Sequence, residues 1–327
     1  MNTSLDAKRV TSEALPVVDV SGLSSSDPVQ RKAVGAALRT ACLDKGFFYC
    51  VGHGVPQGLI DAVFTETKRF FHQPVEMKML YEKSQVSKCN RGYEVLGGQV
   101  LEAGAPPDRK EGYYIGLELQ EDDPRVADGR FNRGPNVWPT DLPGFRPTMS
   151  AYYAAMRSLS ELLMNGIALS LELPEDYFEI YKRDPIATLR LLHYPPQREN
   201  AEPNEKGAGA HTDWGALTLL LQDQVGGLQV FDQATDGWIH AEPIAGSFVV
   251  NLGDSLAHWT NDRYKSTRHR VVNSSGHERY SIPYFYEGDA DYEVTCIPTC
   301  LKPGEEPKYA PITVEGHLMK MYKQSYG

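Results

Sequence analysis

HTDWGALTLLLQD, residues 211–223, is the stretch on which the reading of this chain turns. It opens with an imidazole and a carboxylate two positions apart and runs on into an apolar segment of strand length. On extended backbone, residues i and i+2 project to the same face. His211 and Asp213 can therefore reach one cation while Thr212 points away. A lone His-x-Asp pair is common by chance, and its weight here comes from two segments further along the chain. Residues 265–273, KSTRHRVVN, read as a second strand with Thr267, His269 and Val271 on one face. Two imidazoles and one carboxylate form the protein side of a facial triad that binds Fe(II) and leaves positions open for O2. The third ligand must come from a distant strand, so the site requires a sheet that curls back on itself.

A third strand, RYSIPYFY (279–286), places Arg279 and Ser281 on one face. A guanidinium offers a planar fork of donors, and beside a hydroxyl it suits a carboxylate. Working outward, ATLRLLHY (187–194), GLQVF (227–231), GWIHAEP (237–243) and SFVVNLG (247–253) are further short strand-like runs separated by Gly, Asp, Asn and Pro. Such a series predicts a β-sandwich or barrel. Before it the chain reads differently. A strand at 15–23 precedes a helix opened by Asp27 at its N-cap and Pro28 at N1 and closed by Gly46. A strand at 47–55, a helix from Pro56 and a shorter one near 74–83 come next. Residues 84–143, rich in Gly, Pro and charge, read as irregular and close to substrate. A long helix over 146–172 carries Tyr152, Met156, Leu159, Leu163 and Ile167 on one stripe. The expected organisation is thus an N-terminal region 1–143 with a loose leader at 1–14, a packing helix and connection 144–186, a core 187–312 and a C-terminal helix 313–327.

The composition of the 327 residues, 41% hydrophobic and 23% charged, is that of an ordinary globular chain. A net charge of −10 argues against nucleic acid as the main partner. No apolar run is long enough for a membrane span, and the partner expected is a small molecule, with the oligomeric state left open. Five cysteines without a C-x-x-C pair point to a reduced, cytoplasmic setting. Cys296 and Cys300 lack the second pair that a four-ligand metal site needs.

Two motifs invite other functions. GHGVPQG places glycines at 52, 54 and 58, one residue out of step with a dinucleotide loop. Gly253-Asp254-Ser255-Leu256 spells the GDSL of certain esterases, but it falls late in the chain and no D-x-x-H comes after it. The histidines at 53, 72, 193, 240, 258, 277 and 317 share no ligand spacing and are expected to be structural or solvated.

Several motifs together resemble the isopenicillin N synthase-like group of non-haem Fe(II)/2-oxoglutarate-dependent dioxygenases. They are LPVVDVSGL, GFFYCVGHGV, HYPPQ, HTDWGALTLLLQD, GGLQVF, NLGDSLAHWTNDRYKSTRHRVV and RYSIPYF, in that family's order and across nearly the whole chain. The resemblance implies a mainly β fold with α, a double-stranded β-helix (jelly-roll) core with a helical N-terminal elaboration. It implies Fe(II) on His211, Asp213 and His269, and 2-oxoglutarate as co-substrate with its distal carboxylate on Arg279 and Ser281 and a phenol contact from Tyr194. Consumption of O2 would convert 2-oxoglutarate to succinate and CO2 while a small molecule is oxidised, in the first instance hydroxylated. Many plant members carry Asn two residues before that tyrosine; here the residue is Leu192. The alternatives are an isopenicillin N synthase-type oxidase that needs no 2-oxoglutarate, fragmentation of 2-oxoglutarate to ethylene, or a non-catalytic metal-binding module. Candidates to face substrate are Tyr93, Lys110, Tyr113, Trp214 and Phe285, with Leu219, Leu221 and Val271 as further apolar walls. Arg190 and Arg268 are expected to be salt-bridged or solvated.

Overall fold

The computed structural model describes residues 15–198, 201–202 and 204–326, so the leader expected at 1–14 lies outside the described residues. The strands are β1 (Val17–Asp19), β2 (Phe47–Val51), β3 (Gly92–Glu94), β4 (Glu111–Gly116), β5 (Pro185–Tyr194), β6 (Ala208–His211) and β7 (Leu217–Gln222). They continue as β8 (Leu228–Asp232), β9 (Gly237–His240), β10 (Phe248–Leu252), β11 (His269–Val271), β12 (Arg279–Asp289), β13 (Glu293–Val294) and β14 (Ile312–Thr313). The helices are α1 (Pro28–Asp44), α2 (Gln57–Phe71), α3 (Val75–Met79), α4 (Lys83–Val86), α5 (Pro124–Ala127), α6 (Phe145–Ser170), α7 (Glu179–Lys182), α8 (Asp254–Trp259) and α9 (Val314–Tyr326).

A larger sheet runs in the order β1-β2-β10-β7-β12-β5-β4-β3, and a smaller one in the order β6-β11-β8-β9. Every pairing in them is antiparallel except β1 with β2. The two sheets enclose a thin apolar layer that includes Phe47, Leu192, Tyr194, Leu228, Val230 and Val271. The other face of the larger sheet is covered by helices, with α6 at the centre; Tyr152, Met156, Leu159, Leu163 and Ile167 are all buried there, as their spacing predicts. Asp27 caps α1 by accepting a hydrogen bond from the Val29 N–H (2.9 Å). This is the jelly-roll with helical elaboration that the motifs imply, although β1 to β4 join the core sheet instead of standing apart from it.

A sheet covered on both faces carries apolar residues on both, and this blurs the phase of a strand. Along β12, Tyr280, Ile282, Tyr284 and Tyr286 enter the helical layer, while Arg279, Ser281, Pro283 and Phe285 face between the sheets. Along β7 the residues facing between the sheets are Thr218 and Leu220, and Leu219 and Leu221 pack toward the helices. The expectation that Leu219 and Leu221 wall the site is therefore corrected by one residue. Leu219→Ala is expected to cost about 2–5 kcal/mol of stability in urea unfolding, the usual penalty for a cavity in a close-packed core, because the side chain is wholly buried.

Candidate active site

His211 ends β6, and its direct cross-strand partner in antiparallel pairing is His269 at the start of β11. Such partners have their Cβ atoms only about 4.5–5.5 Å apart, and here the two ring centroids lie 4.3 Å apart. Asp213 lies two residues beyond β6, and its Oδ1 is 3.7 Å from Nε2 of each histidine. One ligand atom from each of the three residues falls within 4.8 Å of the others, the one such His/Cys/Asp/Glu group among the described residues. Cys296 and Cys300 take part in no such group.

The chemistry of the donors suits Fe(II). The Nδ1 of His211 bonds the Gly209 carbonyl (2.7 Å), and that of His269 bonds the Thr267 carbonyl (3.2 Å). Both bonds orient Nε2 toward the centre, as partners behind a metal-ligating imidazole do. Asn251 donates to Oδ2 of Asp213 at 2.7 Å, leaving Oδ1 to face the histidines. Burial, reinforced by His269, pushes the His211 imidazole well below its ordinary range and keeps it neutral. Burial would raise the Asp213 carboxyl, but the two imidazoles, Asn251 and Thr218 outweigh it and hold it ionised. Neutral imidazole and carboxylate are the forms that bind a cation.

The turn carrying Asp213 is held from below. The Asp254 N–H donates to the Asp213 carbonyl (2.8 Å), and the Ser255 N–H and Oγ both bond the Trp214 carbonyl. A Cβ on Gly253 would lie 2.3 Å from the Gly215 carbonyl oxygen, so only glycine permits this approach. The GDSL tetrapeptide is thus the clamp under the ligand turn. As the edge of its sheet, β6 has outward amides to satisfy; Gly209 N–H donates to Asp108 and Ala210 N–H to Glu102.

Two compartments meet at His211 and Asp213. The inner one, of about 60 Å³, is lined by His269, Arg279, Ser281, Tyr194, Leu192, Lys110 and Arg190, among others. Arg279 is wholly buried opposite Tyr194 in the β5–β12 pairing, its guanidinium 4.7 Å from the phenol ring centroid. Its Nε donates to the Gly226 carbonyl (2.5 Å) and Nη1 to Ser281 Oγ (3.1 Å), which fixes the fork. Lys110 is ion-paired with Asp108. Burial, outweighing that aspartate, pushes its ammonium down to about 8.

The outer cavity, of about 110 Å³, has Trp214, Phe285, Phe131, Tyr114, Leu318 and Tyr322 among its apolar walls. Its polar wall is a buried network. Glu94 takes ion pairs from Lys83 (2.7 Å) and Arg190, and Arg190 Nη1 donates to Gln99 at 3.0 Å. Burial would raise the Glu94 carboxyl, but Arg190 and Lys83 hold it down at about 2. Arg190 is therefore salt-bridged, as expected, and it also borders both compartments. Lys110, Trp214, Phe285 and Val271 line one or both of the compartments.

Tyr93 and Tyr113 do not line it. Tyr93 packs on Phe70 and donates to Glu111, Tyr113 donates to the Val137 carbonyl, and both belong to the helical layer. The alternation along β3 and β4 turns them away from the cavity, a correction to the expectation. Sequence reasoning misses Glu287 and Thr218, inward residues of recognisable strands, and the walls given by Asn90, Gln99, Asn132 and the α9 residues Leu318 and Tyr322. For Asn90, Gln99 and Asn132 the one hint is that residues 84–143 are irregular chain.

Comparison with known proteins agrees with this geometry. Residues 15–141 match the non-haem dioxygenase in morphine synthesis N-terminal family, and residues 185–288 match the 2OG-Fe(II) oxygenase superfamily. The chain is 45% identical over 318 residues to the 2-oxoglutarate-Fe(II) type oxidoreductase hxnY of Emericella nidulans, covering 96% of this chain and 91% of that protein. It is 41% identical over 302 residues to a 2-oxoglutarate-Fe(II) type oxidoreductase of Aspergillus fumigatus, with 91% and 89% covered. The crystal structure of a full-length Neurospora crassa protein in complex with alpha-KG and thymine superposes with a TM-score of 0.83 at 31% identity, covering 96% of this chain and 98% of that one. Matched over both regions and along nearly its whole length, the chain belongs to the 2OG-Fe(II) oxygenase superfamily and is a non-haem iron dioxygenase that uses Fe(II), 2-oxoglutarate and O2 to oxidise a small molecule.

Proposed function

We propose that His211, Asp213 and His269 hold the iron, that Arg279 and Ser281 hold the distal carboxylate of 2-oxoglutarate beside Tyr194, and that the outer cavity admits a small molecule that is hydroxylated. The observation that carries this reading is the convergence of the three ligand atoms within 4.8 Å at the junction of two compartments, one of them ending in a wholly buried arginine. Bound there, the iron supplies the position at which O2 is reduced while 2-oxoglutarate gives succinate and CO2. Asn251 keeps the carboxylate turned toward the imidazoles. Arg279 meets a carboxylate with a pre-oriented fork, which saves the entropy of ordering it on binding. With Leu192 apolar, Lys110 and Arg190 are the further cations that line the inner compartment. Trp214, Phe285 and Val271 exclude water from the reacting groups. The Neurospora crassa neighbour, in complex with alpha-KG and thymine, supports a reaction between two small organic molecules.

The test mixes anaerobic protein and Fe(II), with and without 2-oxoglutarate, and then admits O2. Succinate and CO2 in the presence of 2-oxoglutarate are the expected products. Ethylene in the headspace would replace hydroxylation by fragmentation of 2-oxoglutarate. Neither product across a wide panel of amino acids, oxo acids and aromatic compounds would point to the synthase-type oxidase or the non-catalytic module. Asn251→Ala is expected to weaken Fe(II) binding by about 10–100-fold, the usual effect of removing a group that orients a metal ligand, read by anaerobic competition with a chromogenic chelator.

A further inference from the structure

Lys110 is 2% exposed and forms part of the wall of the inner compartment. It immediately precedes β4. Its side chain shares the face between the sheets with Tyr114, four residues on, whereas Tyr113 and Ile115 turn to the helical layer. The ammonium donates to Oδ2 of Asp108, and the other oxygen of that carboxylate accepts the Gly209 N–H at 2.8 Å. Gly209 belongs to β6, and its carbonyl bonds Nδ1 of His211. The ammonium therefore sits one carboxylate away from the strand that delivers the first metal ligand. Arg279 is anchored elsewhere, on the Gly226 carbonyl and Ser281.

An ammonium carries three N–H donors. Among the described residues Asp108 is the one acceptor that the Lys110 side chain meets, so this buried cation has donors to spare at a cavity wall. Burying a charge is costly unless it is paired and hydrogen-bonded, and a polar group left short of partners at a cavity calls for a ligand. Arg190, the neighbouring cation, stands in contrast. Its fork is committed to Glu94 and Gln99, and its guanidinium lies 4.5 Å from the Tyr114 ring centroid. What Lys110 lacks is an anionic oxygen. 2-Oxoglutarate has a carboxylate at each end. With the distal one on Arg279 and Ser281, the one beside the keto group extends toward His211, where the ammonium is placed.

We propose that Lys110 is a second carboxylate-binding residue of the inner compartment, donating to the carboxylate beside the keto group of 2-oxoglutarate while Arg279 holds the distal one. The proposal rests on the inner compartment being the co-substrate site. Recognition is then two-ended, with a separate cation for each carboxylate. A 2-oxo acid without a distal carboxylate still finds a charged partner.

The test measures binding without turnover. Protein loaded with Fe(II) under anaerobic conditions is titrated calorimetrically with 2-oxoglutarate and with 2-oxovalerate, which keeps the keto-end carboxylate and lacks the distal one. Lys110→Met is expected to weaken both by at least about tenfold, the loss of hydrogen bonding to a charged group, and to leave the ratio between them unchanged. Arg279→Met is expected to weaken 2-oxoglutarate and spare 2-oxovalerate. Lys110→Met also strips Asp108 of its cation, so the double variant Asp108→Asn with Lys110→Met is measured beside it. That variant removes the buried pair together, keeps an acceptor for Gly209, and is expected to show the same loss. Lys110→Arg, which keeps the charge, should retain part of the affinity. Fe(II) affinity, read with a chromogenic chelator before any 2-oxo acid is added, should stay at the wild-type value in the double variant; a merely structural effect on β6 would lower it. Unchanged affinities in both methionine variants, weakening of 2-oxoglutarate alone, failure of 2-oxovalerate to bind wild type, or a parallel loss of Fe(II) affinity overturns the proposal. Binding of 2-oxoglutarate by wild type and its dependence on Arg279 are scored first. Their absence defeats the reading of the compartment itself, whereas their presence with Lys110 silent defeats this proposal alone.

Discussion

Asp213→Ala is expected to form succinate at less than about one-thousandth of the wild-type rate, because the several kcal/mol that a metal centre contributes to the barrier go with its third ligand. Among the described residues the carboxylate is the sole anionic donor facing the two imidazoles, with Oδ1 3.7 Å from each Nε2. Alanine leaves two neutral donors and no charge to offset Fe(II). It also strips the Asn251 amide of its acceptor, at a cost of about 1–3 kcal/mol for an unsatisfied buried donor. The melting temperature of the metal-free variant should therefore fall by a few degrees and no more, which separates loss of the metal from loss of the fold. Formate or halide is expected to restore a small part of the activity by filling the vacated ligand position. Full turnover by the variant without such an additive would overturn the assignment of Asp213.

Arg279→Met carries the second large effect. The guanidinium is wholly buried, pinned by the Gly226 carbonyl and Ser281 and stacked on Tyr194. Removing the cationic partner of a buried carboxylate contact costs about 2–5 kcal/mol. The concentration of 2-oxoglutarate needed for half-maximal succinate formation should then rise by about 30-fold to several thousand-fold. Methionine fills comparable space, so iron binding should persist. Arg279→Lys keeps the charge but not the planar fork and should fall between the two. Half-saturation unchanged in Arg279→Met would mean that the inner compartment binds some other acid, and the synthase-type oxidase would gain support.

Much of this site is legible in the chain because its rules are local. A two-residue period puts His211 with Asp213 and Arg279 with Ser281 on common faces whatever the rest of the fold does. The identity of the third ligand is legible for the same reason, as His269 sits on a strand with a clear alternation. β7 is the counterexample. Leu217, Leu219, Leu220 and Leu221 give no alternation, because both faces of the sheet are buried. The phase is carried by Thr218 and Gln222, the polar residues four apart, and that pair is the signal to read. Tyr93 and Tyr113 mislead because aromatic residues near a site suggest substrate, whereas strand pairing sends them to α2 and α6. The contribution of Leu318 and Tyr322 is not legible at all. It depends on where α9 docks, and the Tyr322 hydroxyl reaches Asn90 across 232 positions of chain.

The alternation along β12 has a consequence for how such an enzyme can change. Arg279, Ser281 and Phe285 lie on one face of one strand, so the arginine proposed for the co-substrate and an aromatic wall of the outer cavity are separated by a fixed stretch of hydrogen-bonded backbone. A six-residue step along extended chain spans about 20 Å, and neighbours on both sides pair with it, β5 from Arg279 and β7 from Ser281, as far as Tyr286. Slipping that strand by one residue would turn both groups away together. The walls from residues 84–143 and from α9 carry no such constraint. New substrates can therefore be accommodated by exchanging those outer walls, while the spacing between Arg279 and Phe285 is inherited unchanged.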